Sequence, residues 1–179
     1  MLRFNNKLIR LNGSLAEYIT PPAPSGYKYF CWYVTRASVN TSDAYMQQDF
    51  AFYETAGTKI TGFTSYYYRG TSSSSELPSC GFDGNTSTKW FTNDFDIAGN
   101  VWCIFSNDTV INPIGFSYMT GSDQSACYNR SPVTYKLMGS NTLLTNPSDS
   151  GWTIIYEATD DLTFYNVHTG TTWVDKYFL

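Results

Sequence analysis

The stretch Val101-Trp102-Cys103-Ile104-Phe105 constrains the fold of this chain more than any other. In an extended backbone Val101, Cys103 and Phe105 point one way and Trp102 and Ile104 the other, because strand side chains alternate across a sheet. Both sets are apolar, so a strand here must be covered on two faces. The same two-residue period recurs in Ile114, Phe116 and Tyr118, in Tyr135 and Leu137, and in Trp152, Ile154 and Tyr156. Near the end of the chain, Val174 and Phe178 stand opposite Trp173 and Tyr177. Tyr27 to Thr35 is an aromatic run, and Tyr45 to Tyr53 sets Met46, Phe50 and Phe52 on one face. Turn-rich loops such as Gly70-Thr71-Ser72-Ser73-Ser74-Ser75 and Asn146-Pro147-Ser148-Asp149-Ser150-Gly151 punctuate these segments. About eight short strands without a helical period describe an all-β sandwich or jelly roll. The aromatic share of 18% suits pleated, half-buried surfaces. A length of 179 residues allows one domain with a sizeable core and not two.

Charge and residue chemistry exclude several functions. A net charge of −4 argues against binding a nucleic-acid backbone, which needs a basic face. No apolar stretch is long enough to insert in a membrane, and polar groups break Met1-Leu2-Arg3-Phe4-Asn5-Asn6-Lys7 before a secretion signal can form. The single histidine, His168, lies in a turn-like setting, and no paired Cys or His spacing suits zinc. No Gly-x-Ser-x-Gly elbow is present, and the acids are scattered. Asp160-Asp161 is the one adjacent acidic pair and is expected in a solvated turn. The chain reads as non-catalytic. Cys31 and Cys103 sit among apolar neighbours and are expected as small buried residues.

Residues 1–19 form a segment of their own, with Leu2, Phe4, Leu8, Ile9, Leu11 and Leu15 set among Arg3, Lys7 and Arg10. Residues 20–26, Thr20-Pro21-Pro22-Ala23-Pro24-Ser25-Gly26, make a semi-rigid extended spacer. So short an arm cannot bury its own apolar side chains and must pack on the main domain, residues 27–179, or on a partner.

One loop, Gly81-Phe82-Asp83-Gly84-Asn85-Thr86-Ser87-Thr88-Lys89-Trp90, carries the most specific pattern. Asp83 and Asn85 offer side-chain oxygens two residues apart, Gly84 permits a sharp turn between them, and Thr88 adds a hydroxyl. Oxygen ligands on a tight loop suit a hard cation such as calcium. A metal-free turn, with Asp83 bonding backbone N–H groups, accounts for the same residues.

Phe82-Asp83-Gly84-Asn85-x-x-Thr88-x-Trp90 resembles the "A-F-D-G-N-x-x-T-x-W" signature of discoidin-like, coagulation-factor type C and galactose-binding carbohydrate-binding modules. Val101 to Phe105 resembles that family's "W-I-x-I-D-F" strand. Residues 132–141 with Gly151-Trp152 resemble its "P-x-x-W-x-L-x-G-S-N-D-G-x-x-W". Gln48-Asp49-Phe50-Ala51-Phe52-Tyr53 resembles its "S-E-F-x-F-Y-D" strand, which here precedes the loop, where many members carry it last. The resemblance implies a galactose-binding-like (discoidin) jelly-roll β-sandwich with an N-terminal extended arm. It also implies a structural calcium ion (Ca2+) held by Asp83, Asn85 and Thr88, with Asp49 standing where the family places a Glu. Asp is one methylene shorter, and Cys80-Gly81 replaces the usual small residue before Phe82.

Binding fits these features better than catalysis does. Sugar rings are held by aromatic stacking on their C–H face and by planar hydrogen-bonding groups on their hydroxyls. The candidates are Tyr66, Tyr68 and Arg69 in one cluster, and Asp123, Tyr128, Asn129 and Arg130 in another. In Tyr66-Tyr67-Tyr68, alternation turns Tyr67 inward with Tyr66 and Tyr68 outward, or the reverse. In the family, a residue matching Arg130 pins its loop, and Asp123 is placed to pair with it. The uncleaved start, the Pro-rich spacer and the lone module resemble small bacteriophage fibre and adsorption proteins. That resemblance implies a virion location, with residues 1–26 docking on other virion proteins and the head contacting cell-surface glycans during host attachment. A structural decoration or fibre protein, using the sandwich for assembly without glycan, is the alternative. The aromatic content would also serve a homotrimeric interface.

Overall fold

The computed structural model describes residues 9–11, 14–16, 26–37, 44–70, 74–93, 95, 99–121, 130–167 and 172–178. In chain order its strands are β1 (Ile9–Leu11), β2 (Ser14–Ala16), β3 (Tyr29–Arg36), β4 (Tyr45–Gln47), β5 (Asp49–Thr55), β6 (Thr58–Ile60) and β7 (Thr64–Arg69). They continue with β8 (Trp90–Thr92), β9 (Val101–Ser106), β10 (Gly115–Met119), β11 (Thr134–Ser140), β12 (Thr153–Ala158) and β13 (Trp173–Tyr177). A 3-10 turn, Pro78–Gly81, precedes the loop at Asp83.

A five-stranded sheet runs β12-β11-β3-β9-β7, and a four-stranded sheet runs β13-β10-β5-β6. The pairs β4-β8 and β1-β2 stand as two-stranded ribbons. Every pairing is antiparallel. Apart from the paired backbones of β1 and β2 and from Gly26, the arm and spacer of residues 1–26 lie outside the described residues.

One aromatic core joins the two large sheets. Phe30 and Trp32 of β3 and Phe105 of β9 meet Phe50 and Phe52 of β5 and Phe116 of β10. Phe30 and Phe52 are 4.4 Å apart, and Phe50 stacks on Phe116 at 5.5 Å. Each such pair adds about 0.5–1.5 kcal/mol beyond the area it buries. All six residues of β9 are buried, as its double apolar set requires. Cys31 and Ile104 belong to a smaller cluster on the other face of that sheet, with Trp102 and Met138. Cys31, Cys80 and Cys103 are free thiols.

Two bulges alter the alternation expected from sequence. Trp152, Ile154 and Tyr156 do not share a face. Leu137 opposes Tyr156 while Met138 opposes Ile154, so Ile155 is the extra residue. Ile155 and Tyr156 pack on the core, and Ile154 is exposed. On β7, Ser65 opposes Phe105 and Tyr67 opposes Ile104, leaving Tyr66 as the extra residue. Met46 also leaves the face of Phe50 and Phe52, because the chain breaks at Gln48 into β4 and β5.

A buried relay fixes the approach to the loop at Asp83. Trp32 Nε1 donates to the Tyr45 hydroxyl at 2.8 Å, which donates to Gln47 Oε1 at 2.7 Å. Gln47 Nε2 donates in turn to the Gly81 carbonyl. Tyr45→Phe would leave the Trp32 N–H and Gln47 Oε1 unpaired in a dry site. We expect a loss of about 1–3 kcal/mol in urea unfolding; an unchanged midpoint would mean that water replaces the hydroxyl.

Asp160 and Asp161 have different settings. Asp160 is solvated, at positive φ, and pairs with Arg36. Asp161 departs from the expected solvated turn and lies between the sheets. Its Oδ2 accepts from Tyr135 of β11 and from Lys176 of β13, both at 2.7 Å.

Candidate functional site: an oxygen-lined loop and a tyrosine edge

The loop at Asp83 is anchored from behind, where the Phe63 N–H donates to the Phe82 carbonyl at 2.7 Å. Gly84 takes φ +77°, and a Cβ there would lie 3.1 Å from the Gly62 backbone nitrogen, so only glycine turns comfortably at this point. Asp83 Oδ1 accepts from the Asn85 N–H at 2.8 Å, and Oδ2 accepts from the Thr88 hydroxyl at 2.8 Å. The Thr88 hydroxyl also lies 2.8 Å from the Asn85 carbonyl and 3.5 Å from that of Cys80. Four oxygens therefore gather at Thr88. The Asn85 side-chain oxygen is occupied by the Ser87 N–H at 3.0 Å, so Asn85 turns its main-chain carbonyl to this cluster.

Asp49 reaches the loop despite its shorter side chain. Its Oδ1 accepts from the Phe50 N–H at 2.8 Å and lies 3.4 Å from the Gly84 nitrogen. Its Oδ2 is buried without a hydrogen-bond partner, on a residue only 1% exposed. Burial pushes this carboxyl up to about 6, against the hydrogen bonds from Phe50 and Gly84, and the Asp83 charge pushes the same way. A buried carboxylate oxygen without a partner is costly, and a positive charge would remove the cost. The donor set is carboxylate, carbonyl and hydroxyl oxygen, the set that calcium prefers. Asp83, Asn85 and Thr88 come together in hydrogen-bond contact, and Asp49 reaches the same loop at Gly84, so the oxygen types a hard cation takes are present along it. Among the described residues no group of three or more His, Cys, Asp or Glu forms a metal cluster, so the fit depends on carbonyl and hydroxyl oxygens as well as the two acids.

The other candidates are spread more widely. Tyr66 is half-buried, edge-on to Tyr29 at 5.9 Å, with its hydroxyl 3.5 Å from Asp108. The bulge sets Tyr67 opposite Ile104 and Tyr68 opposite Cys103, so the two rings, 42% and 48% exposed, stand on opposite faces at the edge of the five-stranded sheet, with exposed Arg69 on the Tyr67 side. Alternation left open whether Tyr67 or its two neighbours face outward, and neither alternative holds, because a bulge inside three identical residues leaves no trace in the pattern. Arg130 lies over the Phe91 ring at 4.9 Å. Asp123, Tyr128, Asn129 and His168 lie outside the described residues.

Comparison of the chain with protein-family models, with curated proteins and with solved structures found no match. The likeness to discoidin-like modules accordingly stands on the loop and strand motifs themselves.

Proposed function

We propose that this chain is a non-catalytic glycan-binding module, a discoidin-like jelly-roll sandwich braced by calcium at Asp49, Asp83, Asn85 and Thr88. The observation that carries the binding reading is the edge strand β7, which exposes Tyr67 together with Arg69 on one face and Tyr68 on the other. Large aromatic rings on a sheet edge add little to the core, invite edge-to-edge association, and are usually replaced by charge or proline there. As stacking surfaces for a sugar at the sheet edge they have a use, with Arg69, on the face of Tyr67, donating to hydroxyl oxygens. In this reading residues 1–26 anchor the module to other proteins of a virus particle, and the sandwich meets surface glycans of the host. Among the described residues no helix is long and apolar enough to cross a membrane.

The test is an array of bacterial surface polysaccharides probed with the full chain in calcium. At least one glycan should be captured, and Tyr67→Ala/Tyr68→Ala should weaken capture about tenfold or more. Silence of the unaltered chain across the array overturns the reading. If light scattering then shows an oligomer that dissociates in the same double variant, the tyrosine edge serves assembly instead.

A further inference from the structure

The outer face of the four-stranded sheet carries groups that neither the core nor the cation loop uses. Phe50, Phe52, Phe116, Tyr118 and Val174 face the core, so alternation turns Ala51, Tyr53, Ser117, Trp173, Asp175 and Tyr177 outward. Register sets Ala51, Ser117 and Asp175 in one row and Tyr53, Gly115 and Tyr177 in the next. Lys59 stands opposite Tyr53 on the edge strand β6.

Asp175 is exposed yet held in place. Its Oδ1 accepts from the Tyr53 hydroxyl at 2.8 Å and from Ser117 Oγ at 2.6 Å, and both donors are buried. Burial and the Asp175 carboxylate push the Tyr53 hydroxyl up to about 12, so it remains a donor at neutral pH. Among the described residues Oδ2 takes no hydrogen bond, and the residue is exposed. The Tyr53 and Tyr177 rings meet at 5.3 Å across Gly115. A Cβ at Gly115 would lie 2.5 Å from the Lys176 carbonyl and 3.0 Å from Tyr177 Cδ1, so glycine is what lets the Tyr177 ring settle there. One face of that ring is backed by Tyr53 and the residue remains 45% exposed. The Lys59 ammonium sits 4.0 Å from the Trp173 ring centroid and makes no ion pair among the described residues.

An acceptor fixed by two buried hydroxyls, an open ring two residues along the same strand, and an ammonium pinned on an indole form a prearranged shelf. Covering the sheet asks for none of these; threonine or valine would do it. We propose that this shelf binds a neutral pyranose ring, as a second saccharide site on the opposite sheet from Tyr67 and Tyr68. Tyr177 takes the apolar C–H face of the sugar, the free oxygen of Asp175 accepts from neighbouring hydroxyls, and Lys59 donates to a hydroxyl or ring oxygen. One anion and one cation leave the shelf neutral. An acidic sugar would meet Asp175 and an amino sugar would meet Lys59. The inference rests on the glycan-binding reading but on none of its residues.

The experiment titrates the isotope-labelled full chain, in calcium, with the methyl glycosides of galactose, glucose and mannose, and with N-acetylneuraminic acid as the acidic comparator. Amide shifts should move at residues 173–177 and 58–60 with a neutral glycoside. Tyr177→Ala and Asp175→Asn should each weaken binding about tenfold, whereas Tyr67→Ala/Tyr68→Ala should leave those shifts unchanged. The shift map on the unaltered chain needs no variant to fold. A glycoside that binds without moving residues 173–177, or a preference of this face for the acidic sugar, overturns the shelf and leaves the module reading standing. Failure of every glycoside here and of every glycan on the array overturns both.

Discussion

Asp49→Asn is expected to have two opposite effects, raising the stability of the metal-free protein and abolishing its response to calcium. The carboxylate is nearly fully buried, and one of its oxygens has no partner. Asparagine retains an oxygen for the Phe50 and Gly84 N–H groups and removes the charge. Desolvation raises the carboxyl from 3.8 to about 6, which corresponds to about 3 kcal/mol at neutral pH. That is the expected gain in metal-free buffer, a rise in Tm of roughly 6–12 °C for a chain of this size. The sign with pH follows. A folded-state value above the unfolded one makes a contribution that is complete below about 3.8 and lost as pH rises through 6. Metal-free wild type should therefore become more stable between pH 7 and pH 5, and Asp49→Asn should not. With calcium at about a hundred times its Kd the wild type should gain about 2.7 kcal/mol, fading below pH 6 as protons compete for Asp49. Scanning calorimetry of both proteins, with calcium and with chelator, reads all of this. If calcium leaves wild type unchanged and Asp49→Asn is less stable, Asp49 is a backbone acceptor and the loop a metal-free turn.

The fold was legible wherever the apolar period ran unbroken. The double apolar set of residues 101–105 implied a strand covered on both faces, and β9 is the inner strand between β3 and β7 with every residue buried. Val174 and Phe178 turned to the core against Trp173 and Tyr177, as their spacing implied. Alternation failed at Tyr66 and Ile155, because one inserted residue inverts every later side chain and depends on the partner strand. The hydrogen-bonded turn at Asp83 was legible because its contacts are local: Asp83, Asn85 and Thr88 span six residues. Asp49 lies thirty-four residues earlier, and its orphaned oxygen is a property of burial that no local pattern carries. The shelf at Asp175 joins β5, β6, β10 and β13. Its Trp-x-Asp-x-Tyr spacing is visible in sequence, but the donors that hold Asp175 come from strands far away in the chain. Asp161 was hidden for the same reason, since its partners Tyr135 and Lys176 come from different sheets.

Asp161→Ala should be strongly destabilising, costing about 3 kcal/mol, the low end of the range for removing one partner of a buried ion pair, because this pair is half-buried. Asp161 and Lys176 side chains are each only 16% exposed. Burial alone would raise the Asp161 carboxyl, but hydrogen bonds from Lys176, Thr163 and Tyr135 outweigh it and hold the group at about 2. Removing it takes the acceptor from the Tyr135 hydroxyl and the Thr163 N–H and leaves the Lys176 ammonium with the Thr163 hydroxyl but no counter-charge, at the place where the two sheets are tied. Because the folded value lies below the ordinary 3.8, the stabilisation is present above 3.8 and is lost as pH falls through 2. The wild type should thus lose about 2 kcal/mol through this group in acid, and Asp161→Ala should lack that limb. Guanidinium unfolding at neutral pH and in acid measures both quantities. The double variant Asp161→Asn/Lys176→Met decides what the pair does. It replaces both charges with groups of similar size, so recovery of most of the loss would show that packing between the sheets carries the stability and the ion pair only selects their register. No recovery would mean that the charge-assisted bonds to Tyr135 and Thr163 themselves hold β11 to β13.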